Sequence, residues 1–162
     1  MSFRLIILVL SLLMPAAVSA QNTVAFGTMA QDTSLPVEVT AENLSVDQEK
    51  GTAIFTGDVV IVQGEMRLAA PWVLVVYSED QSKVMRLEAK SGVTLVSGPD
   101  AAEAEQADYS IESGVVVMRG NVLLTQGKNA LTANEMTVNL NDGTAQMGGR
   151  VKTILQPDAG KN

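Results

Sequence analysis

The sequence predicts an all-β fold built from repeated strand–turn–strand units. A glycine motif recurs without gaps at residues 51–59, 114–122 and 143–151, each time with two glycines six positions apart and a valine two positions after the second glycine. Apolar and polar residues alternate with a period of two, which is typical of half-buried strands. Turn-forming residues recur every eight to twelve positions. The three observations together indicate a sheet made of consecutive hairpins.

Residues 1–20 have the features of a secretory signal peptide. Arg4 precedes the apolar run Leu5–Met14, and Val18-Ser19-Ala20 supplies the small residues of a cleavage site. We expect cleavage after Ala20 and export of the mature protein. A retained N-terminal anchor is the alternative, although the apolar run is short for a bilayer span.

The mature chain divides into a lead, one domain and a tail. Residues 21–35 are polar and show no sustained period, so they are predicted to form a flexible N-terminal lead. Residues 36–156 carry the repeats and are predicted to form a single domain, followed by a C-terminal tail at residues 157–162. A total of 162 residues is enough for one domain with a sizeable core.

The domain is expected to contain four rounds of two strands each. The second strand of a round carries the glycine motif or, at residues 87–98, a degraded copy of it. Asn141-Asp142-Gly143 lies between two alternating runs and predicts a tight hairpin. One segment departs from the pattern, because Ala101–Ala107 has a helix-favouring composition but is short. We expect an acidic loop or a single helical turn there. The first strands of the rounds begin at Ala41, Ala70, Ala107 and Ala133.

The second glycine of each motif is predicted to bend its strand. Gly57, Gly120 and Gly149 lie inside otherwise continuous strands, where glycine usually marks a bulge or a sharp bend. Because these bends recur at one level of the strands, they should curl the sheet into a cradle.

Composition excludes several classes of function. The formal net charge is −7, and nucleic acids are bound largely through lysine and arginine, so we expect no nucleic-acid partner. The chain has no cysteine and no histidine, which excludes a Ser-His-Asp triad, a cysteine nucleophile and the usual zinc ligand sets. The pairs Glu103 with Glu105 and Asp58 with Glu65 are better explained as solvated surface than as the carboxylates of a hydrolase. We therefore predict no enzyme, no catalytic residue, no metal and no cofactor.

Two strings of residues resemble a known family. The run Val37–Val46, followed by Phe55-Thr-Gly-Asp-Val59, Gln63-Gly64 and Leu68-x-Ala70, is similar to the OstA-like domain of the LptA/OstA lipopolysaccharide-transport family. The resemblance covers roughly Pro36–Leu155. Two features depart from the family pattern. Pro71-Trp72 replaces the polar pair usual at that point, and the third round carries an acidic insert at Pro99–Gln106.

The resemblance implies a fold, a location and a set of partners. The fold would be a single open β-jellyroll with an apolar interior that holds the lipid A acyl chains of lipopolysaccharide. The protein would be periplasmic and would carry lipopolysaccharide from the inner to the outer membrane. It would stack head to tail with itself, and with the related domains of LptC-like and LptD-like proteins.

A lipid-binding groove would be lined by one face of each strand. The alternatives are that these residues fill a closed core, which is the commoner fate of alternating apolar residues, or that the chain is a structural or adhesive β-solenoid without a lipid ligand. The predicted lining residues are Val37, Val39, Leu44, Val46, Phe55, Val59, Ile61, Leu68, Val73, Val75, Leu95, Met118, Val122, Leu124, Met136 and Val138.

Overall fold

One antiparallel sheet contains all the strands of the computed structural model, which describes residues 23–27 and 30–157. The predicted signal peptide and nearly all of the predicted tail lie outside the described residues. No helix in the described ranges is long and apolar enough to cross a membrane. The strands are β1 (Thr23–Ala25), β2 (Glu38–Thr40), β3 (Asn43–Asp47), β4 (Thr52–Gln63), β5 (Met66–Tyr77), β6 (Val84–Ser97), β7 (Asp100–Ser110), β8 (Val115–Gln126), β9 (Asn129–Asn139), β10 (Thr144–Gly148) and β11 (Lys152–Ile154).

The strands follow one another as a series of hairpins, which confirms the predicted all-β fold. Their order across the sheet is β1-β10-β9-β8-β7-β6-β5-β4-β2, while β3 also pairs with β4 and β11 also pairs with β9. The turn at Asn141-Asp142-Gly143 joins β9 to β10 as predicted. Alternation of apolar and polar residues places one face of every long strand inward, because successive side chains point to opposite faces.

Each long strand bends near its middle, and the bends divide the sheet into two arms. The pairing register shifts at the bends, for example between Thr56 and Val59 in β4 and between Arg119 and Val122 in β8. We call the two parts the first arm and the second arm. The first arm contains β2, β11 and residues 59–63, 66–70, 93–97, 100–104, 122–126 and 129–133; the second contains β1, β3, β10 and residues 52–56, 72–77, 84–90, 106–110, 115–119 and 135–139.

A pair of left-handed residues forms each of the repeated corners. Gly57 and Asp58 have φ values of 81° and 44°, and Gly120 and Asn121 have 85° and 46°. Asp and Asn are the non-glycine residues that best tolerate this conformation. The degraded copy has the same pair of left-handed residues, because Ser91 and Gly92 have φ values of 70° and 96°. The prediction that the second glycine bends its strand is therefore confirmed at Gly57 and Gly120. At Gly149 (φ 76°) the strand is interrupted instead, with β10 before the glycine and β11 after it.

Alanine at Gly120 should destabilise the fold by about 2–4 kcal/mol, because it adds both backbone strain and a steric clash. A Cβ atom there would lie 2.8 Å from the Cβ of Glu105. The matched control is Gly127→Ala, since Gly127 also has a positive φ (58°) but has no atom within 4 Å of the added Cβ. The control should lose about 1 kcal/mol from strain alone. Urea unfolding of both variants measures the difference, and equal losses would show that the corner is not crowded.

The segment Ala101–Ala107 is a strand, so the predicted acidic loop or helical turn is wrong. It forms most of β7 and pairs with β6 on one side and β8 on the other. Ala102 and Ala104 are buried, whereas Glu103 and Glu105 are exposed. Partners on both sides decide the conformation here, because intrinsic helix propensity is weaker than a full set of ladder hydrogen bonds and a buried face.

The N-terminal segment also differs from the sequence prediction of a flexible lead at residues 21–35. Thr23–Ala25 form β1 and pair with Thr144–Gln146 of β10. The next residue, Phe26, is only 2% exposed, and its N–H donates a hydrogen bond of 2.8 Å to the carbonyl oxygen of Gly143. β1 and Phe26 are thus built into the fold by partners more than a hundred residues away.

Candidate functional site

The two arms share one apolar interior. Buried side chains from both arms form a single hydrophobic cluster, which includes Ile61, Leu68 and Leu95 from the first arm and Met118 and Val138 from the second. Each of these five side chains is at most 1% exposed. The middle of the fold is therefore a packed aliphatic layer between the arms.

The predicted lining residues all occur on the inner face, but their exposure differs. Eleven are buried, three are partly buried against the cluster, and two are exposed. The buried ones are Val59, Ile61, Leu68, Val73, Val75, Leu95, Met118, Val122, Leu124, Met136 and Val138, the partly buried ones Val37, Val39 and Phe55, and the exposed ones Leu44 and Val46.

Leu44 and Val46 mark an open end of the interior. They lie on β3, where Leu44 pairs with Phe55 and Val46 pairs with Ala53. Residues directly opposite each other in an antiparallel pair project from the same face, so both side chains point to the inner face. They are nevertheless 57% and 59% exposed. The inner apolar face thus continues beyond the packed middle and reaches solvent at β3.

The opposite edge of the sheet also exposes apolar side chains. Val151, Ile154 and Leu155 are 37%, 48% and 68% exposed in and around β11. Surface apolar residues are normal when scattered, but clustering at an edge strand marks a surface suited to a partner. Apolar surface therefore lies at both ends of the sheet.

Several inner residues are missed by sequence reasoning. Ala102, Ala104 and Ala107 of β7 are buried, as is Tyr109. The signal that could have found them is the alternation Ala102-Glu103-Ala104-Glu105, which is a strand pattern written in small residues. These alanines belong to the same hydrophobic cluster as the larger side chains of the neighbouring strands.

Gln63 connects the two arms across the interior. It is 3% exposed, and its Oε1 accepts a hydrogen bond from the hydroxyl of Tyr109 in the second arm. Its Nε2 donates to the carbonyl oxygens of Thr33 and Leu35, at 2.8 and 2.9 Å. Burial raises the pKa of Tyr109 to about 12, so the phenol stays neutral and donates its proton at any physiological pH.

Residues 30–35, which we call the strap, cross from one arm to the other. The N–H of Gln31 donates to the carbonyl oxygen of Leu140 in the second-arm turn, at 2.7 Å. The side-chain Nε2 of Gln31 donates to Oγ of Ser97 in the first arm, at 3.0 Å. The strap therefore closes part of the opening between the turns of the two arms.

A cavity of about 1040 Å³ lies beside the strap. It is lined by Thr33 and Ser34 of the strap and by the β5–β6 and β7–β8 turns, and it contains none of the sixteen predicted lining residues. Hydrogen bonds from Ser78 and Ser82 lower the pKa of Asp80 to about 2, so its carboxylate is ionised at neutral pH. Val84, Met85 and Ile111 add apolar surface to the same cavity, so its lining is mixed.

The family described as "LptA/(LptD N-terminal domain) LPS transport protein" matches residues 38–144. The match spans β2 to the start of β10, including every corner of the sheet except that at Gly149. The chain belongs to this family. The resemblance seen in the sequence is confirmed by this assignment.

Relatives of the LptA/LptD N-terminal family align with nearly the whole chain. An uncharacterised protein of Rhizobium meliloti (strain 1021) is 28% identical over 93% of this chain and 87% of its own length. The lipopolysaccharide export system protein LptA of Escherichia coli (strain K12) is 24% identical over 97% of this chain and 90% of its own length. The crystal structure of LptH from Pseudomonas aeruginosa, the periplasmic LptA homologue of its lipopolysaccharide transport device, superposes with a TM-score of 0.69 at 18% identity, covering 78% of this chain and 99% of LptH. The last comparison shows that the jellyroll fold is shared.

Proposed function

We propose that this protein is a periplasmic, non-enzymatic carrier of lipopolysaccharide that holds lipid A acyl chains against its inner apolar face. The observation that carries the proposal is the open end at β3, where Leu44 and Val46 expose an inner face that is continuous with the buried interior. Membership of the LptA/LptD N-terminal family and the name of the Escherichia coli relative support it.

The chemistry of the interior suits hydrocarbon chains. Its buried side chains are mainly aliphatic, and four of them, Met66, Met118, Met136 and Met147, are flexible thioethers that adapt to irregular neighbours. Each buried methylene of a ligand contributes about 0.8 kcal/mol. The net charge of −7 opposes the phosphates of lipid A, so the acyl chains must supply most of the affinity.

The ends of the sheet support head-to-tail stacking. Strands alternate in direction from β3 to β10, so β2 and β3 of one copy run antiparallel to β10 and β11 of another when the copies are related by a simple screw operation. Such a contact is heterologous and extends the sheet without closing it. The same geometry would let related domains of LptC-like and LptD-like proteins add at either end.

Photo-crosslinking tests the carrier directly. A benzophenone side chain at Leu44 or Phe55 should capture lipopolysaccharide, because both residues face inward, while one at Ser45 or Thr56 on the outer face should not. Leu44 and Ser45 form a matched pair, since both are exposed and differ only in the face from which they project. Capture is read as a mass shift on a denaturing gel probed for lipopolysaccharide. Equal capture on both faces, or none, would contradict the proposal, and no capture would favour a structural repeat protein.

A further inference from the structure

The two arms differ at the C-terminal edge of the sheet. In the first arm β11 pairs with β9 and, among the described residues, with no further strand. In the second arm the outer edge of β10 is covered by β1 from the same chain, with Val24 opposite Ala145. An added copy therefore meets a free edge on one arm and an occupied edge on the other.

The covering strand has the direction of the strand that a second copy would bring. Eight antiparallel pairings lead from β3 through the sheet to β1, so β1 and β3 run the same way. Both also belong to the second arm. In a head-to-tail stack, β1 of one copy and β3 of the next would compete for the same edge.

The side chains of β1 match those of β3 as well. Val24 is partly buried and faces inward, because its partner Ala145 is buried on the inner face. Leu44 and Val46 place apolar side chains on the inner face of β3 in the same way. In the monomer, β1 thus occupies the edge of β10 with the direction and the inward apolar residue that β3 of a second copy would have.

We propose that the outer edge of β10 is the docking edge for β3 of a second copy of this chain, and that β1 occupies this edge until β3 replaces it. The inference rests on the head-to-tail stacking proposed above. β3 pairs over five residues, whereas β1 pairs over three. The exchange therefore restores the lost ladder and also removes Leu44 and Val46 from solvent.

The residues that follow β1 are held in place, so β1 can detach from β10 while the chain after it stays bound to the fold. Phe26 is 2% exposed, and the N–H of Gly27 donates to Oδ2 of Asp100 at 2.8 Å. Residues 23–25 make fewer side-chain contacts. The carbonyl oxygen of Ala25 accepts a hydrogen bond of 2.7 Å from Nε2 of Gln126. Peeling thus involves β1 up to Phe26, while Phe26 stays in the interior.

A disulfide lock tests the replacement. Because Phe26 bonds to Gly143 through its N–H, the neighbouring pair Ala25 and Thr144 is the closer, non-hydrogen-bonded type, with Cα atoms about 4.5 Å apart and within the range for a disulfide. The chain has no native cysteine. The double variant Ala25→Cys/Thr144→Cys should, when oxidised, self-associate about tenfold more weakly than when reduced, since one arm can no longer extend.

Matched controls separate the lock from the effect of any crosslink. Val117→Cys/Thr137→Cys joins β8 to β9 at a pair of the same type in the middle of the second arm, and its self-association should not respond to oxidation. Val24→Pro removes a backbone hydrogen-bond donor from β1 and so weakens its pairing with β10. This variant should self-associate several-fold more strongly, and the test does not depend on forming a disulfide. Sedimentation equilibrium of the full mature chain measures all variants, alongside lipopolysaccharide capture.

The outcomes distinguish this inference from the carrier role. Equal association of the oxidised and reduced lock, or weaker association of Val24→Pro, would overturn the replacement of β1. A wild-type chain that stays monomeric at every concentration would overturn it too. Because none of these three results changes lipid capture at Leu44 or Phe55, each would leave the carrier proposal standing. Loss of capture alone would reject the carrier and not the replacement.

Discussion

Replacing Gln63 with leucine should lower the free energy of unfolding by about 2–4 kcal/mol, because it leaves the buried hydroxyl of Tyr109 and two part-buried carbonyl oxygens without their partners. The hydroxyl of Tyr109 would lose its acceptor, and the carbonyl oxygens of Thr33 and Leu35 would lose their donor. Leucine has nearly the same size, so the loss reports hydrogen bonding and not packing. Chemical unfolding followed by circular dichroism gives the value.

Two further variants confirm the cause. Tyr109→Phe removes one partner only and should lose part of that energy, since the carboxamide oxygen of Gln63 is then left unpaired. Gln106→Leu replaces an exposed glutamine on the outer face of β7 and should change stability by less than about 0.5 kcal/mol. A loss at Gln63 no greater than that at Gln106 would show that the connection between the arms contributes nothing to stability.

Truncation of Leu95 to alanine should destabilise the lipid-free protein by about 2–5 kcal/mol and should make it respond more strongly to lipopolysaccharide. Leu95 is 0% exposed in the middle of the inner face. The substitution leaves a cavity lined by hydrocarbon, and an acyl chain that enters the interior can fill it. Because a ligand stabilises only the state that it binds, the lipid should raise the melting temperature of Leu95→Ala more than that of the wild type.

Leu123→Ala is the matched control for this experiment. Leu123 is a partly buried leucine on the outer face of β8, next to the buried Leu124. It should lose less stability, and its response to lipid should equal that of the wild type. If Leu95→Ala gained no more from lipopolysaccharide than Leu123→Ala, the middle of the fold would be a closed core, and lipid would bind only at the ends.

The sequence predicts the architecture well because its main determinants are local. Glycine spacing predicts the corners, since glycine adopts the positive φ of a corner residue such as Gly120 without the steric cost that a Cβ atom imposes. The degraded copy shows the limit of this reasoning, because the glycine at that corner is Gly92, with Ser91 adopting the other left-handed position. Alternation predicts the inner face for the same local reason. It is also present in β7, where alanine alternates with glutamate, although the composition of that segment favours a helix.

The features that sequence reasoning misses depend on distant partners. β1 has three residues, and no local period can reveal a strand that is defined by pairing with Thr144–Gln146. The exposure of Leu44 and Val46 has the same origin. Their sequence is indistinguishable from that of buried strands, and they are exposed because β3 lies at an edge. Position in the sheet, which is set by the whole topology, decides whether an inward side chain is covered.

The alignment of the corners gives the sheet a crease. Ladder hydrogen bonds run across the strands, in the same direction as the line of corners, so a change in the angle between the arms rotates backbone dihedrals at residues such as Gly57 and Gly120 without breaking the ladder. Changes in the angle between the two arms are therefore expected to occur mainly along this line of corners. Each copy added at an end would lengthen that line, and the width available to a guest molecule would be set by the fold angle along it.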